Sequence, residues 1–175
     1  LYRSLEHYRT SFKSHTEAMW VSKLGLRQSA PGDDELVAQL VSLLRVVETD
    51  MTIFFRSLGT IDGLNPLDMA HAYYDEAALP VDELGLWLGK WWSRVDGDPD
   101  REAMNNANPK YVLRNWMSQL AIEAAEADDY SVAIELQDLL RAPYEEQPSS
   151  QDRWYKKRPE WARHKVGCSM LSCSS

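Results

Sequence analysis

Three aspartates, Asp96, Asp98 and Asp100, have the alternating spacing with which a calcium-binding EF-hand loop begins. Such a loop needs a glycine at its sixth position for a sharp turn and a glutamate at its twelfth for bidentate coordination. The sequence has Arg101 and Ala107 at these two positions. We therefore interpret the segment as a polar loop between helices, whose acidic residues precede a helix start.

A second possible metal site lies near the C-terminal end, where His164, Cys168 and Cys173 are close in sequence. Structural zinc needs four ligands, and this spacing fits no four-ligand pattern. A zinc-stabilised adaptor stays open as an alternative, and it would require bound metal in the purified protein. The other histidines are expected at surfaces or boundaries: His7, His15 and His71.

The sequence contains no motif for nucleophilic or phosphoryl chemistry. It has no Gly-x-Ser-x-Gly run, no glycine-rich phosphate loop, and no His-Arg-Asp or Asp-Phe-Gly run. The paired carboxylates Glu145 and Glu146 lie in polar surroundings that give no reason for a raised pKa. We predict no catalytic, cofactor-binding or metal-binding residue in this chain.

Aromatic residues occur in two groups that could bind a ligand. Trp87 and Trp91 share a helix face at a spacing of four, which favours core packing over a ligand cage that would also include Trp92. Residues 152–165 contain six Lys or Arg and two acidic residues, interleaved with aromatic ones. Such a segment could bind nucleic acid, but the acidic remainder of the chain favours docking within the molecule, with these aromatic residues as anchors: Trp154, Tyr155 and Trp161.

Apolar residues recur every three or four positions along most of the chain, which predicts an all-α fold. No stretch alternates with period two for long enough to predict a strand. Capping residues predict the following helices: one ending at Gly25, one from Asp33 or Asp34, one from Asp50 through Leu58, one from Pro66 to about Ala78, one from Pro80, one capped by Asn108 and running to Ala125, and one capped by Ser131. We predict a helical domain over residues 1–141 and an extended irregular tail over 142–175.

Bulk properties exclude two classes of partner. The chain has 175 residues and a formal net charge of -8, which argues against nucleic acid, and no apolar run approaches the length of a membrane helix. Both cysteines lie in the last eight residues, which is no disulfide framework for a secreted fold. Because the chain opens inside a predicted helix at Leu1 without an initiator Met, we expect it to be a fragment.

One run is specific enough to compare with known families: Asn108-Pro109-Lys110-Tyr111-Val112-Leu113-Arg114-Asn115-Trp116. With the terminal Ser172-Cys173-Ser174-Ser175, it resembles the C-terminal region of the selenoprotein O family. The resemblance spans nearly the whole chain, is loose over residues 60–100, and includes shorter pieces: Lys23-Leu24-Gly25-Leu26, Asp50, Thr52, Phe55-Arg56, Leu58, Gln119, Ala121-Ile122, Ala124-Ala125-Glu126, Asp129, Pro143-Tyr144, Gln147-Pro148, Pro159 and Trp161-Ala162.

The resemblance implies a kinase-like enzyme that binds ATP in an inverted orientation and transfers AMP to Ser, Thr or Tyr hydroxyls of proteins, with Mg²⁺ or Mn²⁺ as the metal. In that family the nucleotide-binding and metal-binding residues precede the region that this chain resembles. The implied partners are the kinase-like catalytic core of the same polypeptide and the protein substrates. The alternative is a stand-alone helical interaction module without catalytic activity. The implied location is cytoplasmic in a bacterium and mitochondrial in a eukaryote.

The resemblance also implies a redox role for the C-terminal thiol. Some family members place selenocysteine near this end and others use cysteine, and the resemblance implies that this cysteine pairs with a cysteine in the activation-loop region. Cys173 occupies the matching position, and Cys168 is a second candidate. A Cys168–Cys173 bridge and two unpaired thiols without function remain the alternatives.

Overall fold

The computed structural model describes residues 2–168, and it describes side-chain burial for residues 5–168. No strand occurs in this part of the chain, whose only β-type pairing is an isolated antiparallel bridge between Thr49 and Tyr73. The prediction of an all-α fold is confirmed. Within residues 2–168, no helix is both long enough and apolar enough to cross a membrane.

The α-helices of the described part are numbered along the chain. They are α1 Tyr2–Lys23, α2 Asp33–Leu43, α3 Met51–Leu58, α4 Val81–Arg94, α5 Arg101–Ala107, α6 Asn115–Glu126, α7 Ser131–Arg141 and α8 Pro148–Trp154. Three 3-10 helices accompany them: Pro66–Ala72, Glu76–Ala78 and Glu160–Ala162.

The chain forms two compact units, Leu1–Asn108 and Pro109–Ser175. The first unit contains α1 to α5, and the second contains α6 to α8. The sequence predicted a different division, between a helical domain over residues 1–141 and a tail over 142–175. That division is based on helix content and not on compactness, and it stays a prediction.

The end of α1 shows why local sequence signals succeed in the first unit. Gly25 has a φ of 64°, a left-handed conformation that glycine adopts without steric cost. The Gly25 N–H donates to the Ser22 carbonyl at 3.2 Å, and the Leu26 N–H donates to the Val21 carbonyl at 2.9 Å. These two bonds form a Schellman motif, which satisfies carbonyls that the helix end leaves unpaired. The predicted cap is confirmed.

Other predicted helix starts in the first unit are confirmed as well. The Asp50 carboxylate accepts from the Ile53 N–H at 3.1 Å and caps α3, and α2 begins at Asp33. Pro80 is the residue before α4. In α4, the indole N–H of Trp87 donates to the Leu36 carbonyl and that of Trp91 to the Leu24 carbonyl, each at 2.9 Å. Both indoles are buried, so they are core residues as predicted.

The predicted α-helix from Pro66 to Ala78 is wrong. The segment forms two 3-10 helices separated by extended backbone at Tyr73. The extended stretch pairs with an earlier one: the Asp50 N–H donates to the Ala72 carbonyl at 2.8 Å, and the Tyr74 N–H donates to the Glu48 carbonyl at 2.9 Å. These long-range bonds occupy backbone groups that a continuous helix would need.

The predicted helix capped by Asn108 also begins elsewhere. Asn108 is the C-cap of α5, and the next helix, α6, begins only at Asn115. The N–H groups of Lys110 and Tyr111 both donate to the Pro143 carbonyl, at 2.8 and 3.0 Å. The Asn108 side-chain oxygen accepts from the Lys23 ammonium instead of capping these N–H groups, and residues 109–114 are not helical.

In the second unit, the start of α7 and the structure beyond residue 142 also differ from prediction. Ser131 is the first residue of α7 rather than its cap, and its N–H is bonded by the Asp129 carboxylate at 2.9 Å. Beyond residue 142, the chain contains α8 and a 3-10 helix, and Trp154 is buried there. Part of the predicted irregular tail is thus packed. The core of this unit consists of Tyr111, Trp116, Met117, Leu136, Leu139, Trp154, Ala162 and Cys168.

Candidate functional site

The three aspartates with the EF-hand-like spacing do not act together as one site. The Asp100 carboxylate accepts from the Ala103 N–H at 2.9 Å and caps α5, as the helix-start interpretation predicted. Asp98 forms an ion pair with Arg27, and Asp96 has a left-handed backbone with a φ of 53°. Within residues 2–168, no group of three His, Cys, Asp or Glu residues could hold a metal ion.

The cysteine-bearing segment is the candidate site that the sequence singled out. Cys168 is a free thiol, 7% exposed, and belongs to the core of the second unit. Its carbonyl accepts from the Asn115 side-chain amide at 3.2 Å, and its N–H donates to the Lys165 carbonyl at 3.1 Å. A thiol buried among apolar groups is inert, since reactivity needs an accessible thiolate. Cys173, the principal predicted redox residue, lies outside the described residues.

Trp154 anchors the segment that leads to Cys168. It is 1% exposed, and its ring stacks on that of Trp116 with centroids 5.8 Å apart and an interplanar angle of 26°. The indole N–H donates to Glu135 Oε1 at 2.7 Å, and Arg153 pairs with the other oxygen of the same carboxylate. Docking of the basic segment within the molecule, predicted from its charge, is observed here.

Two lysines add to this attachment. The Lys156 ammonium lies 5.5 Å from the centroid of the Trp116 ring, within the range of a cation–π contact. Lys165 pairs with Glu123 on α6, and the hydrogen bond from Lys165 is the main cause that lowers the pKa of the Glu123 carboxyl. Trp161 was also predicted to be an anchor, but it is 44% exposed, and its ring contacts the Lys165 ammonium outside the core.

Two residues of the run that carried the family resemblance, Lys110 and Tyr111, also contact the C-terminal segment. Lys110 is buried, and its ammonium donates to Glu146 Oε2 at 2.5 Å and to Gln151 Oε1 at 2.9 Å. The same ammonium lies 5.0 Å from the Tyr155 ring centroid. The Tyr111 hydroxyl donates to the Glu146 carbonyl at 2.8 Å. Lys110 and Tyr111 therefore bind residues 143–155 and are not part of a helix.

Sequence reasoning missed the role of Lys110, because it assigned that residue to a helix. No local signal marked this role, because Pro109 directly after Asn108 is also the pattern of a helix start. A buried ammonium is costly unless its protons are bonded. The carboxylate of Glu146 and the amide oxygen of Gln151 meet that requirement.

In the first unit, Asn108 likewise connects elements that are distant in sequence, through hydrogen bonds of its side chain. Its side-chain oxygen accepts from the Lys23 ammonium at 2.7 Å, and its side-chain N–H donates to the Lys23 carbonyl at 3.0 Å. Burial lowers the pKa of Lys23, whose ammonium also lies 4.3 Å from the Phe55 ring centroid. The buried Arg56 guanidinium donates to the carbonyls of Asn105 and Asn108, both at 3.1 Å. These contacts tie the ends of α1 and α5 to α3.

A surface groove between α2 and α4 has a volume of about 570 Å³. Its walls are mainly apolar and include the exposed side chains of Val46 and Leu86. The charged groups on its rim are Glu35, Glu83 and Lys90. The Lys90 ammonium is already bonded to Gln39 Oε1 at 2.9 Å, so the groove brings together no set of groups suited to acid–base chemistry.

Fold and contacts together define the class of protein region: an all-helical region in which bonded cations and stacked aromatic rings hold a C-terminal segment that contains Cys168. The sequence model of the family described as protein adenylyltransferase SelO matches residues 1–141. The chain belongs to this family, which confirms the resemblance seen in the sequence.

Individual relatives match over the full length of the chain. It is 43% identical over 189 residues to protein nucleotidyltransferase YdiU of Flavobacterium johnsoniae, covering 100% of this chain and 36% of the relative. It is 42% identical over 199 residues to the protein of the same name from Rhodopirellula baltica, covering 100% and 37%. For that of Aromatoleum aromaticum the identity is 41% over 184 residues, covering 100% and 35%. The chain thus spans little more than a third of these relatives.

Proposed function

We propose that this chain is the helical region of a protein nucleotidyltransferase that transfers AMP from ATP to Ser, Thr or Tyr hydroxyls of other proteins. The observation that carries this proposal is the match of the entire chain, at 41–43% identity, to relatives named protein nucleotidyltransferase. In the proposed reaction, the hydroxyl oxygen bonds to the α-phosphorus of ATP, its proton passes to a base, and pyrophosphate leaves. The proposed location is the cytoplasm in a bacterium, or the mitochondrion in a eukaryote.

The residues for ATP and for Mg²⁺ or Mn²⁺ are proposed to lie in the part of the longer protein that this chain does not span. The described residues do not fit such a site, because no three potential metal ligands converge among residues 2–168. We accordingly assign no catalytic step to the residues of this chain. The alternative of a stand-alone helical module is less well supported, since the relatives carry the matching region within chains nearly three times as long.

The role proposed for this region is to support a kinase-like catalytic core and to present a redox-active thiol to it. Cys168 is fixed in the core of the second unit, so it serves as the anchor of the segment and not as the reactive thiol. Cys173 follows five residues later, and a backbone of five residues reaches at most about 17 Å. A cysteine that pairs with Cys173 must therefore lie near the second unit.

The activity is tested by incubating the purified full-length protein and a protein substrate with ATP labelled at the α-phosphate, in the presence of Mg²⁺ or Mn²⁺. We expect label on the protein and a mass increase that corresponds to AMP. A parallel reaction with ATP labelled at the γ-phosphate is the matched control and should leave the protein unlabelled. Label from the γ-phosphate alone would identify a kinase and contradict the proposal.

The redox role is tested on the same full-length protein with and without a thiol reductant. We expect the activity of the wild type to depend on the reductant, and Cys173→Ser to abolish this dependence. Cys168→Ala is the matched control, because the buried thiol is not the proposed reactive group, and it should keep the dependence. An unchanged reductant response in Cys173→Ser ends the redox proposal, and loss of the response only in Cys168→Ala reverses the assignment of the two thiols.

A further inference from the structure

Helix α1 carries a narrow row of apolar and aromatic side chains along one side. Its members, spaced by three, four, three and four residues, are Leu5, Tyr8, Phe12, His15 and Met19. This is the a/d spacing of a seam between two packed helices. The row extends over fourteen residue steps, or about 21 Å of helix.

The row is exposed although its composition is that of an interface. Leu5 is 50% exposed, Tyr8 64%, Phe12 61% and Met19 45%. The rings of Tyr8 and Phe12 stack on each other with centroids 6.0 Å apart and an interplanar angle of 25°. A contiguous apolar surface of this kind marks an interaction site, whereas scattered exposed apolar residues would need no explanation.

The other end of the same helix is packed in the ordinary way. The Trp20 ring contacts that of Phe55 with centroids 6.0 Å apart, and Leu24, just past the helix end, is fully buried. Between residues 5 and 15, every side chain is exposed except the half-buried Ser11. A helical segment in water without tertiary packing is only marginally stable, so this half of α1 requires a covering partner.

The proposed function supplies the partner, and the inference rests on it. Nearly two thirds of the length of the matched relatives lies outside the region that corresponds to this chain. A covalently linked segment meets the row at an effective concentration that a second copy of the protein does not reach. A strict a/d row is narrow and accommodates one helix.

We propose that this row of α1 docks against a helix of the catalytic part of the longer polypeptide, and so joins the helical region to the catalytic core. The groove between α2 and α4 is also apolar, but nothing in the structure indicates what covers it. The row on α1 is distinguished by its regular spacing along an otherwise unpacked half-helix.

The test is amide hydrogen exchange of the full-length protein, measured over residues 5–19. We expect exchange at least about tenfold slower than in an unprotected helix, since only packed helices resist local opening. Phe12→Ser should remove most of that protection. Lys13→Ser is the matched control, because it makes the same replacement one residue away and outside the row, and it should leave protection nearly unchanged.

Each result decides the proposal. Fast exchange over residues 5–19 in the wild type, or equal effects of Phe12→Ser and Lys13→Ser, overturns it. Protection that rises with protein concentration, together with a dimer in light scattering, overturns it in favour of self-association. Absence of AMP transfer by the wild type contradicts the proposed function whatever the exchange data, whereas fast exchange in an active protein contradicts only the docking of α1.

Discussion

The two compact units of this protein are stabilised in different ways. In the first unit, helices end at local caps such as Gly25 and Asp50, and stacked indoles of α4 fill the core. In the second unit, a cation or a carboxylate accompanies the aromatic rings: Lys156 lies over Trp116, and Arg153 lies over Trp154. The first unit also has a cation over a ring, Lys23 over Phe55, but most of its buried side chains are apolar. The second depends on side chains that reach from the C-terminal segment to α6 and α7.

This difference predicts where each unit is vulnerable. Local caps determine the ends of individual elements, so their loss affects one junction at a time. The second unit has few helices, and its C-terminal segment is held through a small number of rings and charges. Removing one of those rings should therefore release the segment that carries Cys168.

The largest expected effect is that of Trp116→Ala in the second unit. Trp116 is buried and stacked on Trp154, so its truncation should cost roughly 3–5 kcal/mol of local stability. Native-state hydrogen exchange of the α6 amides in the full-length protein measures this loss. Trp161→Ala is the matched control, since that side chain is 44% exposed and its loss should cost less than about 1 kcal/mol. Equal effects of the two variants would contradict the aromatic anchor.

A smaller effect is expected for Gly25→Ala at the end of α1. A Cβ atom there would lie 2.9 Å from both the Asp100 backbone nitrogen and the Met104 sulfur, at a φ of +64°. We expect a loss of roughly 2–3 kcal/mol from strain and overpacking, measured by exchange of the α1 and α5 amides. Gly89→Ala is the control: Gly89 lies within α4, and a Cβ atom added there would meet no neighbouring atom within 4 Å, so that variant should gain about 0.5–1 kcal/mol. A stabilised Gly25→Ala variant would contradict the cap.

The smallest effect concerns the Asp33–Arg94 ion pair of the first unit. Desolvation raises the pKa of Asp33, but hydrogen bonds from Arg94 and the Ala30 N–H outweigh it, so the pKa is lowered overall. A lowered carboxyl pKa stabilises the fold above the unfolded value of about 3.9, and this contribution is lost as pH falls through the folded value. Asp33→Asn should cost about 1–2 kcal/mol at neutral pH and flatten the acid limb of the stability profile below about pH 4.

The control for this pair is Asp34→Asn, because Asp34 is the exposed neighbour at the same helix start. It should change stability by less than about 0.5 kcal/mol and leave the acid limb intact. Thermal unfolding between pH 3 and 7 distinguishes the two variants. An acid limb that is unchanged in Asp33→Asn would show that the ion pair does not contribute to the stability of the first unit.

The sequence alone determined the all-α fold, most helix starts and ends in the first unit, and the family. These features depend on residues a few positions apart, because a helix bonds its own backbone between neighbours in sequence. Gly25, Asp50 and Pro80 act on adjacent residues, and their roles could be predicted without knowledge of the remainder of the chain.

Three features depend on the tertiary structure: the start of α6, the division of residues 66–78 into two 3-10 helices, and the burial of Cys168. In each case the decisive partner is distant in sequence: Lys23 donates to the Asn108 oxygen that would have capped a helix, the Glu48 carbonyl accepts from Tyr74, and Asn115 donates to the Cys168 carbonyl. Contacts over such distances cannot be read from the local helix pattern. Periodicity shows which side of a helix is apolar, but not what covers that side, and for this reason only the structure showed that half of α1 lies exposed.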